Sequence, residues 1–219
     1  MKTVKLIMEG YKQWTESLGV DREWKIQAFQ HYFSYLLYNK LAEIGSYVIP
    51  FRYDIHVILA DGVREKDIVK VIEEIDAHSP TSIKLCKGYH QKPILSVFSC
   101  EEIDLDKVPD ERILVAHYDI DGITKLNIQQ SMEKIGFLMD YIKAVGKRLG
   151  CIDQYLGGDN LGLFCSEDTV EAHIKVVKEL NDVKVGIGIG SKARDALRNA
   201  TEALDEIRKF REEKWKIIG

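Results

Sequence analysis

The order of strand-like and helix-like segments is the same in both halves of this 219-residue chain. In the first half, apolar and alternating runs predict strands at 2–9, 47–52, 54–61 and 82–89, and helices at 21–44 and 65–77. The second half gives strands at 112–120 and 183–190, two strands within 151–166, helices at 127–149 and 166–180, and a last helix at 192–210. Each half therefore has the order β-α-β-β-α-β, which few topologies satisfy.

This order is typical of the ferredoxin-like motif, in which helices cover one face of an antiparallel sheet. The predicted fold class is α+β, with two tandem ferredoxin-like halves at 1–103 and 111–219. An acidic segment containing a proline, "EEIDLDKVPDER", links them. The repeat is approximate, because Pro93 lies where the first half should have a counterpart of the last helix, and we expect none there.

Charge and hydropathy narrow the class of partner. The 31 basic and 35 acidic residues give a formal net charge of -4, without the basic excess of proteins that bind nucleic acids or anionic membranes. No run reaches the ~18 apolar residues of a spanning helix, and "MKTVKLIMEGY" lacks the features of a signal peptide. We therefore expect a soluble, cytoplasmic protein with no nucleic-acid or membrane partner, and the charge is compatible with a charged small substrate.

The chain has four cysteines and no C-x-x-C pair. Isolated cysteines in a reducing cytosol are mostly small buried apolar side chains. We expect this of all four, which are Cys86, Cys100, Cys151 and Cys165.

Two glycines and an acid interrupt an apolar strand pattern in "QYLGGDNLGLF". Asp159 follows Gly157 and Gly158, and Asp119 ends an earlier strand that this topology places alongside. Two converging carboxylates suit Mg²⁺, which is usually held by one or two carboxylates together with substrate phosphates. Glycines permit the positive φ of a tight hairpin and let phosphate oxygens approach the backbone. In isolation, "GGDN" is also typical of an ordinary hairpin turn that caps its own backbone.

Several motifs carry a resemblance to a known family. The stretches "LVAHYDIDGIT", "YLGGDN" and "VGIGIG" resemble the archaeal GTP cyclohydrolase III family, itself similar to the palm domain of GGDEF nucleotide cyclases. In the first half, "MEGYKQWTESLG", "DREWKIQ" and "FRYDIHVILADG" resemble the same family in the same order. The resemblance is weak over residues 80–112.

The resemblance implies an activity and its cofactor. It implies a Mg²⁺-dependent hydrolase that opens the imidazole ring of GTP and releases a formylamino-pyrimidine ribonucleotide monophosphate with two phosphates. Such a reaction belongs to the archaeal route to riboflavin and deazaflavin. It also implies a homo-oligomer, either a dimer or a tetramer.

The metal-binding residues carry over by position. The resemblance makes Asp119 and Asp159 catalytic metal ligands and the backbone carbonyl of Ile120 a third ligand. By the period of two, Asp121 faces the same side as Asp119 and is an alternate ligand. His117 points to the sheet face opposite Tyr118, where it either packs or takes part in proton transfer.

Other positions are candidates for contacts with the nucleotide. Gly157, Gly158 and Asn160 form the turn beside the phosphates, and Asn127 matches a guanine-binding position of the cyclases. Arg208, near the end of the last helix, aligns with a basic position that cyclase palms use on phosphate. A basic residue there is equally typical of favourable interaction with the helix dipole.

The first half contains a degenerate copy of this site. Glu9 and Asp54 are expected in the places of the two acids, and Arg52 and Tyr53 replace the glycines. We expect this half to shape the nucleotide pocket or an oligomer contact. Asp54 and Tyr53 are candidates for touching the base, although Tyr53 is equally typical of a core aromatic residue.

Two alternative functions remain. "DIDGITKLN" also resembles a stretch of GGDEF cyclases, which favours a nucleotidyl cyclase or a minimal palm polymerase. The cyclase signature continues with Glu and Phe, where this chain has Asn160 and Leu161. The other alternative is an inactive nucleotide sensor, because the end of the first half is shortened.

Overall fold

The protein is described by a computed structural model that covers residues 1–210 and 213–219. The strands and helices of the first half are β1 (Lys2–Met8), α1 (Tyr11–Ser17), α2 (Glu23–Glu43), β2 (Tyr47–Pro50), β3 (Ile55–Leu59), α3 (Glu65–Asp76), β4 (Ile83–Tyr89) and α4 (Pro93–Phe98). Those of the second half are β5 (Ile113–Ile120), α5 (Ile128–Leu149), β6 (Ile152–Gly157), β7 (Asn160–Ser166), α6 (Val170–Glu179), β8 (Val183–Gly190), α7 (Ala193–Phe210) and β9 (Trp215–Ile218). None of the helices in these ranges combines the length and apolarity needed to cross a membrane.

Each half builds its own sheet. The first has the strand order β2-β3-β1-β4, and all its pairs are antiparallel. The second has the order β6-β7-β5-β8-β9, in which only β9 pairs in parallel. The predicted α+β class with two ferredoxin-like halves is confirmed. The division at 1–103 and 111–219 into domains stays a prediction.

The first half does have a short counterpart of the last helix, contrary to expectation. Helix α4 begins at Pro93, and proline suits a first helical position because its missing N–H would be unpaired there anyway. It packs closely on β4, since a Cβ at Gly88 would lie 2.1 Å from the carbonyl oxygen of Ser96. Glycines of β8 support α7 in the same way, since a Cβ at Gly188 would lie 2.0 Å from the Ala196 oxygen.

The two sheets pack against each other through the faces that α2, α3, α5 and α6 do not cover. Ile49 and Val57 of the first sheet share one buried cluster with Val115 and Phe164 of the second. The ring of Tyr47 stacks on Phe164 with 5.1 Å between centroids. Because side chains on a strand alternate, every second residue of β5 beyond Val115 also faces the junction between the halves.

The cysteines are paired, so the expectation of four unpaired thiols is wrong. Cys151 bonds to Cys165, with their Cα atoms 4.5 Å apart, and Cys86 bonds to Cys100, at 5.2 Å. The pairing of β6 with β7 explains the first bond, since Ile152 lies opposite Phe164 and the two cysteines are the next residues outward from that pair. Such proximity arises from strand register, which cysteine spacing in the sequence does not reveal.

Candidate active site

The end of β5 brings the first acid to the glycine hairpin. Asp119 is directly opposite Asn160, the first residue of β7. The backbone N–H of Ile120 donates to the carbonyl oxygen of Asp159 at 3.2 Å. Two acids that are remote in the chain therefore lie on neighbouring strands at one end of the second sheet, as the topology predicted.

The turn between β6 and β7 is open. Gly157 has φ 105° and Gly158 has φ 58°, both in the region that favours glycine. A Cβ at either position would meet no described atom within 4 Å. The Tyr155 hydroxyl donates to the Gly158 carbonyl oxygen at 3.0 Å and steadies the turn from its β6 side. Space for a ligand thus remains next to Asp159.

Arg208 holds one oxygen of Asp119. The Asp119 side chain is mostly buried, and its Oδ2 accepts from Arg208 Nε at 3.3 Å and lies 3.2 Å from Nη2. Arg208 Nη1 also donates to Asp205 at 3.3 Å. Burial alone lowers the pKa of Arg208, but the bonds and charges of these two acids outweigh it and raise the pKa overall. The contacts fall on Oδ2 and leave Oδ1 for another ligand.

A hydrogen-bonded chain orients Asp159. The Asn160 Nδ2 donates to Asp159 Oδ1 at 2.8 Å, so Asn160 Oδ1 faces the other way and lies 2.9 Å from His117 Nε2. Since Asn160 Oδ1 only accepts, His117 carries its proton on Nε2. The buried His117 Nδ1 has no partner among the described residues, and burial lowers the pKa of this imidazole. His117 lies on the Asp119 face of β5, whereas Tyr118 packs with His173 on the other face.

Two further candidates have structural partners. Asp121 forms an ion pair with Lys184, and its carbonyl oxygen accepts from Lys134 Nζ at 2.8 Å. Asn127 caps α5, because its Oδ1 accepts from the Gln130 N–H at 2.9 Å. Their roles as a metal ligand and a guanine contact stay predictions. Lys184 was not predicted as a site residue from the sequence, although β-strand register places it directly opposite Asp119.

The first half repeats the hairpin, but with a different register from the expected one. The Met8 N–H donates to the Asp54 carbonyl oxygen at 2.9 Å, as Ile120 does to Asp159, so Asp54 is the counterpart of Asp159. The Glu9 N–H bonds to Ser82 as the Asp121 N–H bonds to Asp182.

The place of Asp119 is therefore taken by Ile7, and Glu9 corresponds to Asp121. The expected match of Glu9 with Asp119 was two residues out. A shift by two residues leaves every side chain on the same face of the sheet. The alternation of apolar and polar residues in the sequence therefore could not reveal this error.

The first-half turn keeps the backbone shape of the glycine turn without the glycines. Tyr53 has φ 56°, close to the 58° of its counterpart Gly158. Arg52 binds both oxygens of Asp54, at 2.8 and 2.6 Å. The Asp54 carboxylate is thus engaged by its own turn, and its contact with a nucleotide stays a prediction.

A family model described as GTP cyclohydrolase III matches residues 1–103 and 95–218. The chain belongs to the GTP cyclohydrolase III family. A GTP cyclohydrolase III of Sulfurisphaera tokodaii is 38% identical over 222 residues, covering 100% of this chain and 98% of the relative. The GTP cyclohydrolase III of Saccharolobus solfataricus is 31% identical over 226 residues, covering 98% of each.

Among solved structures, a bacterial light-regulated adenylyl cyclase is similar with a TM-score of 0.44 and 9% identity, covering 99% of this chain and 85% of that one. This likeness is too weak to bear on the site. The family assignment rests on the sequence relatives.

The residues that the GTP cyclohydrolase III resemblance nominates form a donor set that fits Mg²⁺. Asp119 Oδ1, Asp159 Oδ2 and the Ile120 carbonyl are all oxygen donors, as Mg²⁺ requires, and they border the open turn. Within residues 1–210 and 213–219, no nitrogen- and sulfur-rich ligand group lies beside these oxygens. The group of Cys151, Cys165 and His173 lies in the core under α5 and α6, and its two sulfurs are bonded to each other.

Proposed function

We propose that this protein is a Mg²⁺-dependent GTP cyclohydrolase that opens the imidazole ring of GTP. The products would be 2-amino-5-formylamino-6-(5-phosphoribosylamino)pyrimidin-4(3H)-one and two phosphates. Membership of a family named for GTP cyclohydrolase activity supports an enzyme that hydrolyses GTP. The observation that carries the proposal is the meeting of Asp119 with the hairpin of Asp159 beside an open glycine turn.

The chain's own residues have distinct roles in this proposal. Asp119 and Asp159 would hold the cation, which would supply charge neutralisation for phosphate oxygens and activation of a water. Arg208 contacts Asp119, and its guanidinium can exchange Asp119 for a phosphate oxygen because both accept its paired N–H groups. The glycine turn lets phosphate oxygens approach the backbone N–H groups of residues 158 and 159 without a side chain in the way.

The test is incubation of the purified protein with GTP and Mg²⁺, followed by chromatography of the nucleotides and an assay for phosphate. A formylamino-pyrimidine monophosphate with two equivalents of phosphate is the expected result. A cyclic or linear dinucleotide would instead establish the cyclase alternative, and unchanged GTP the inactive sensor.

Matched variants locate the activity. Asp159→Asn removes a charged metal ligand without changing side-chain size, so turnover should fall to background. Asp168→Asn makes the same change at an exposed position beyond β7 and should have the parental rate. Parental turnover in Asp159→Asn would refute the assignment of the site.

We further propose a cytoplasmic homo-oligomer, either a dimer or a tetramer. Ile128 and Met132 lie one turn apart on α5 and are 82% and 69% exposed, so they form an adjacent apolar pair that suits contact with another subunit. Light scattering of the purified protein measures the state, and a monomer at micromolar concentration would refute this part.

A further inference from the structure

The two disulfides differ in their exposure. Cys151 and Cys165 are 2% and 0% exposed and lie in the core under α5 and α6. Cys86 is also buried, but its partner Cys100 is exposed on the segment that follows α4. Thiol–disulfide exchange requires a sulfur that an incoming thiolate can reach. Of the two bonds, the one between Cys86 and Cys100 therefore suits exchange in the folded protein.

The exposed disulfide borders a cavity of about 610 Å³ at the edge of the first sheet. Strand β4 is the outer strand there, and the chain after α4 runs beside it, with Glu101 bridged to Lys87. Both Cys86 and Cys100 line the cavity. Its volume is within the usual range for small-molecule sites, so a thiol has room to approach the bond.

A buried lysine lies beside this disulfide. Lys5 on β1 is directly opposite Cys86, and side chains at opposite positions of neighbouring strands share one face, with Cβ atoms about 5 Å apart. Lys5 is 5% exposed, and its Nζ lies 3.5 Å from the carbonyl oxygen of Ser96. Within residues 1–210 and 213–219, no carboxylate forms an ion pair with Lys5.

The Lys5 ammonium thus lacks a countercharge. Burial lowers the pKa of Lys5, and the charge of Glu101 offsets only part of this effect. Burying a charge without a partner is costly, and ionisable groups with perturbed pKa values cluster at functional sites. A thiolate at Cys86 would supply the missing charge, because a thiol beside a lysine ionises more readily than an isolated one. The ammonium therefore favours the reduced form of the cysteine pair.

Separate anchors hold the segment that carries Cys100. The Glu101 N–H donates to the Lys87 carbonyl oxygen at 2.9 Å, next to the disulfide. Leu105 is buried in the core of the first half, and its N–H donates to the Glu65 carboxylate at 2.9 Å. Opening of the S–S bond therefore leaves the two sulfurs close together, so the bond can form again.

We propose that Cys86 and Cys100 form a reversible redox site that exchanges with a dithiol reductant. A thiolate of the reductant attacks Sγ of Cys100, the exposed sulfur, and forms a mixed disulfide with it. The bond to Cys86 breaks, and its electron pair leaves on Cys86 Sγ as a thiolate that pairs with the Lys5 ammonium.

The second thiolate of the reductant completes the exchange. It attacks the reductant sulfur of the mixed disulfide, so the oxidised reductant leaves and Cys100 becomes a thiolate that takes up a proton. Two electrons pass from the reductant to the protein. Of the two protons that the reductant loses, one ends on Cys100 and the other in the solvent.

This redox site goes beyond the proposed function. Its three residues belong to the first half, whereas Asp119 and Asp159 belong to the second sheet. Cytosolic disulfides are usually transient and either catalytic or redox-sensing, which fits an exposed bond beside a buried cation. The Cys151–Cys165 bond then has the other role, since it is enclosed by the core that it stabilises.

The test follows each disulfide in the folded, full-length protein. Dithiothreitol is the probe, and timed samples are quenched with acid, alkylated with N-ethylmaleimide in urea and analysed by peptide mass spectrometry. The Cys86–Cys100 bond should be reduced at least about a hundredfold faster than Cys151–Cys165, because the buried bond reacts only when the structure around it opens. Equal rates for the two disulfides, or reduction of Cys86–Cys100 only in urea, would overturn the proposal.

A monothiol identifies the sulfur that is attacked. Glutathione cannot complete the exchange alone, so a brief reaction followed by acid should trap it as a mixed disulfide. The adduct should map to Cys100. An adduct on Cys86 would contradict the proposed direction of attack.

Variants of Lys5 test the role of the ammonium. Lys5→Met keeps a long side chain without the charge and should slow reduction of Cys86–Cys100 by roughly tenfold, because the leaving thiolate has no countercharge. Lys5→Arg retains a cation and should recover most of the rate. Lys147→Met makes the same change at an exposed position of α5 and should be reduced at the parental rate.

Two outcomes would refute the role of Lys5. One is a parental rate of reduction in Lys5→Met, and the other is a Lys5→Arg variant as slow as Lys5→Met. Circular dichroism checks that each variant is folded. The comparison of the two disulfides in the parent needs no variant, so it decides the redox assignment even if a Lys5 variant does not fold.

Discussion

Ile7 in the first half occupies the position that Asp119 occupies in the second. The backbone bonds from Met8 to Asp54 and from Ile120 to Asp159 fix this correspondence. An isoleucine cannot bind a cation, so the first hairpin retains only one of the two acids. The duplicated fold therefore contains one complete pair of carboxylates.

This asymmetry predicts which hairpin binds a divalent cation. Mn²⁺ binding can be measured by electron paramagnetic resonance in the absence of nucleotide. Asp159→Asn should weaken it by more than the roughly tenfold that results from loss of a group outside the direct ligands. Asp54→Asn should leave it at the parental value, because its hairpin lacks a second acid. Equal losses in the two variants would contradict the assignment.

His117 should act as a positioning residue through Asn160. His117→Leu removes the donor that fixes the Asn160 amide and leaves Asp159 less ordered, so Mn²⁺ affinity should fall roughly tenfold. His117→Gln can place an N–H near the position of Nε2 and should recover most of the affinity. His78→Leu, at an exposed position, is the control. A Gln variant as weak as the Leu variant would indicate that the ring only fills space.

Two glycines should respond to alanine with opposite signs. Gly188→Ala places a Cβ 2.0 Å from the Ala196 oxygen and 2.2 Å from the Ala200 nitrogen, so α7 must shift and the free energy of unfolding should fall by about 1–3 kcal/mol or more. Gly136→Ala, on the exposed side of α5 with no described atom within 4 Å of the added Cβ, should raise it by about 0.5–1 kcal/mol. Urea unfolding measures both, and a stable Gly188→Ala protein would contradict the close packing of α7.

Stability should fall in acid because of buried histidines. Burial lowers the pKa of His173 to about 4 from its ordinary value of 6.5. Between these values the unfolded chain binds a proton that the folded chain does not, so the free energy of unfolding falls as the pH drops. The contribution of this group is about 1–3 kcal/mol by pH 4. Urea unfolding at pH 7 and at pH 4.5 measures the stability lost on acidification. His173→Gln should lose less stability than the parent between these two pH values, and an identical loss would refute the attribution of this effect to His173.

Much of the fold follows from local patterns. The strand and helix periods predicted both ferredoxin-like halves, because each half buries one sheet face under amphipathic helices. Helices α1 and α4 and strand β9 were not predicted, because each is short and only a few residues carry its periodicity. The disulfides were missed because register rather than spacing brings Cys151 to Cys165.

The site was predictable to a similar extent. Glycines in an apolar strand identified the hairpin, and strand-end position identified Asp119. The partners of these residues were not predictable. Asn160 meets His117, and Lys184 meets Asp121, through a strand register that no single strand encodes.

The buried cluster that joins the two sheets also affects how the duplication could diverge. Ile49 and Val57 bury Val115 and Phe164. A fragment that contains only the second half would therefore expose an apolar sheet face and tend to aggregate. The copy without a counterpart of Asp119 therefore cannot be removed without uncovering this face. Its hairpin at 51–54 contributes nothing to the shared cluster, so the hairpin sequence can change while the cover stays in place.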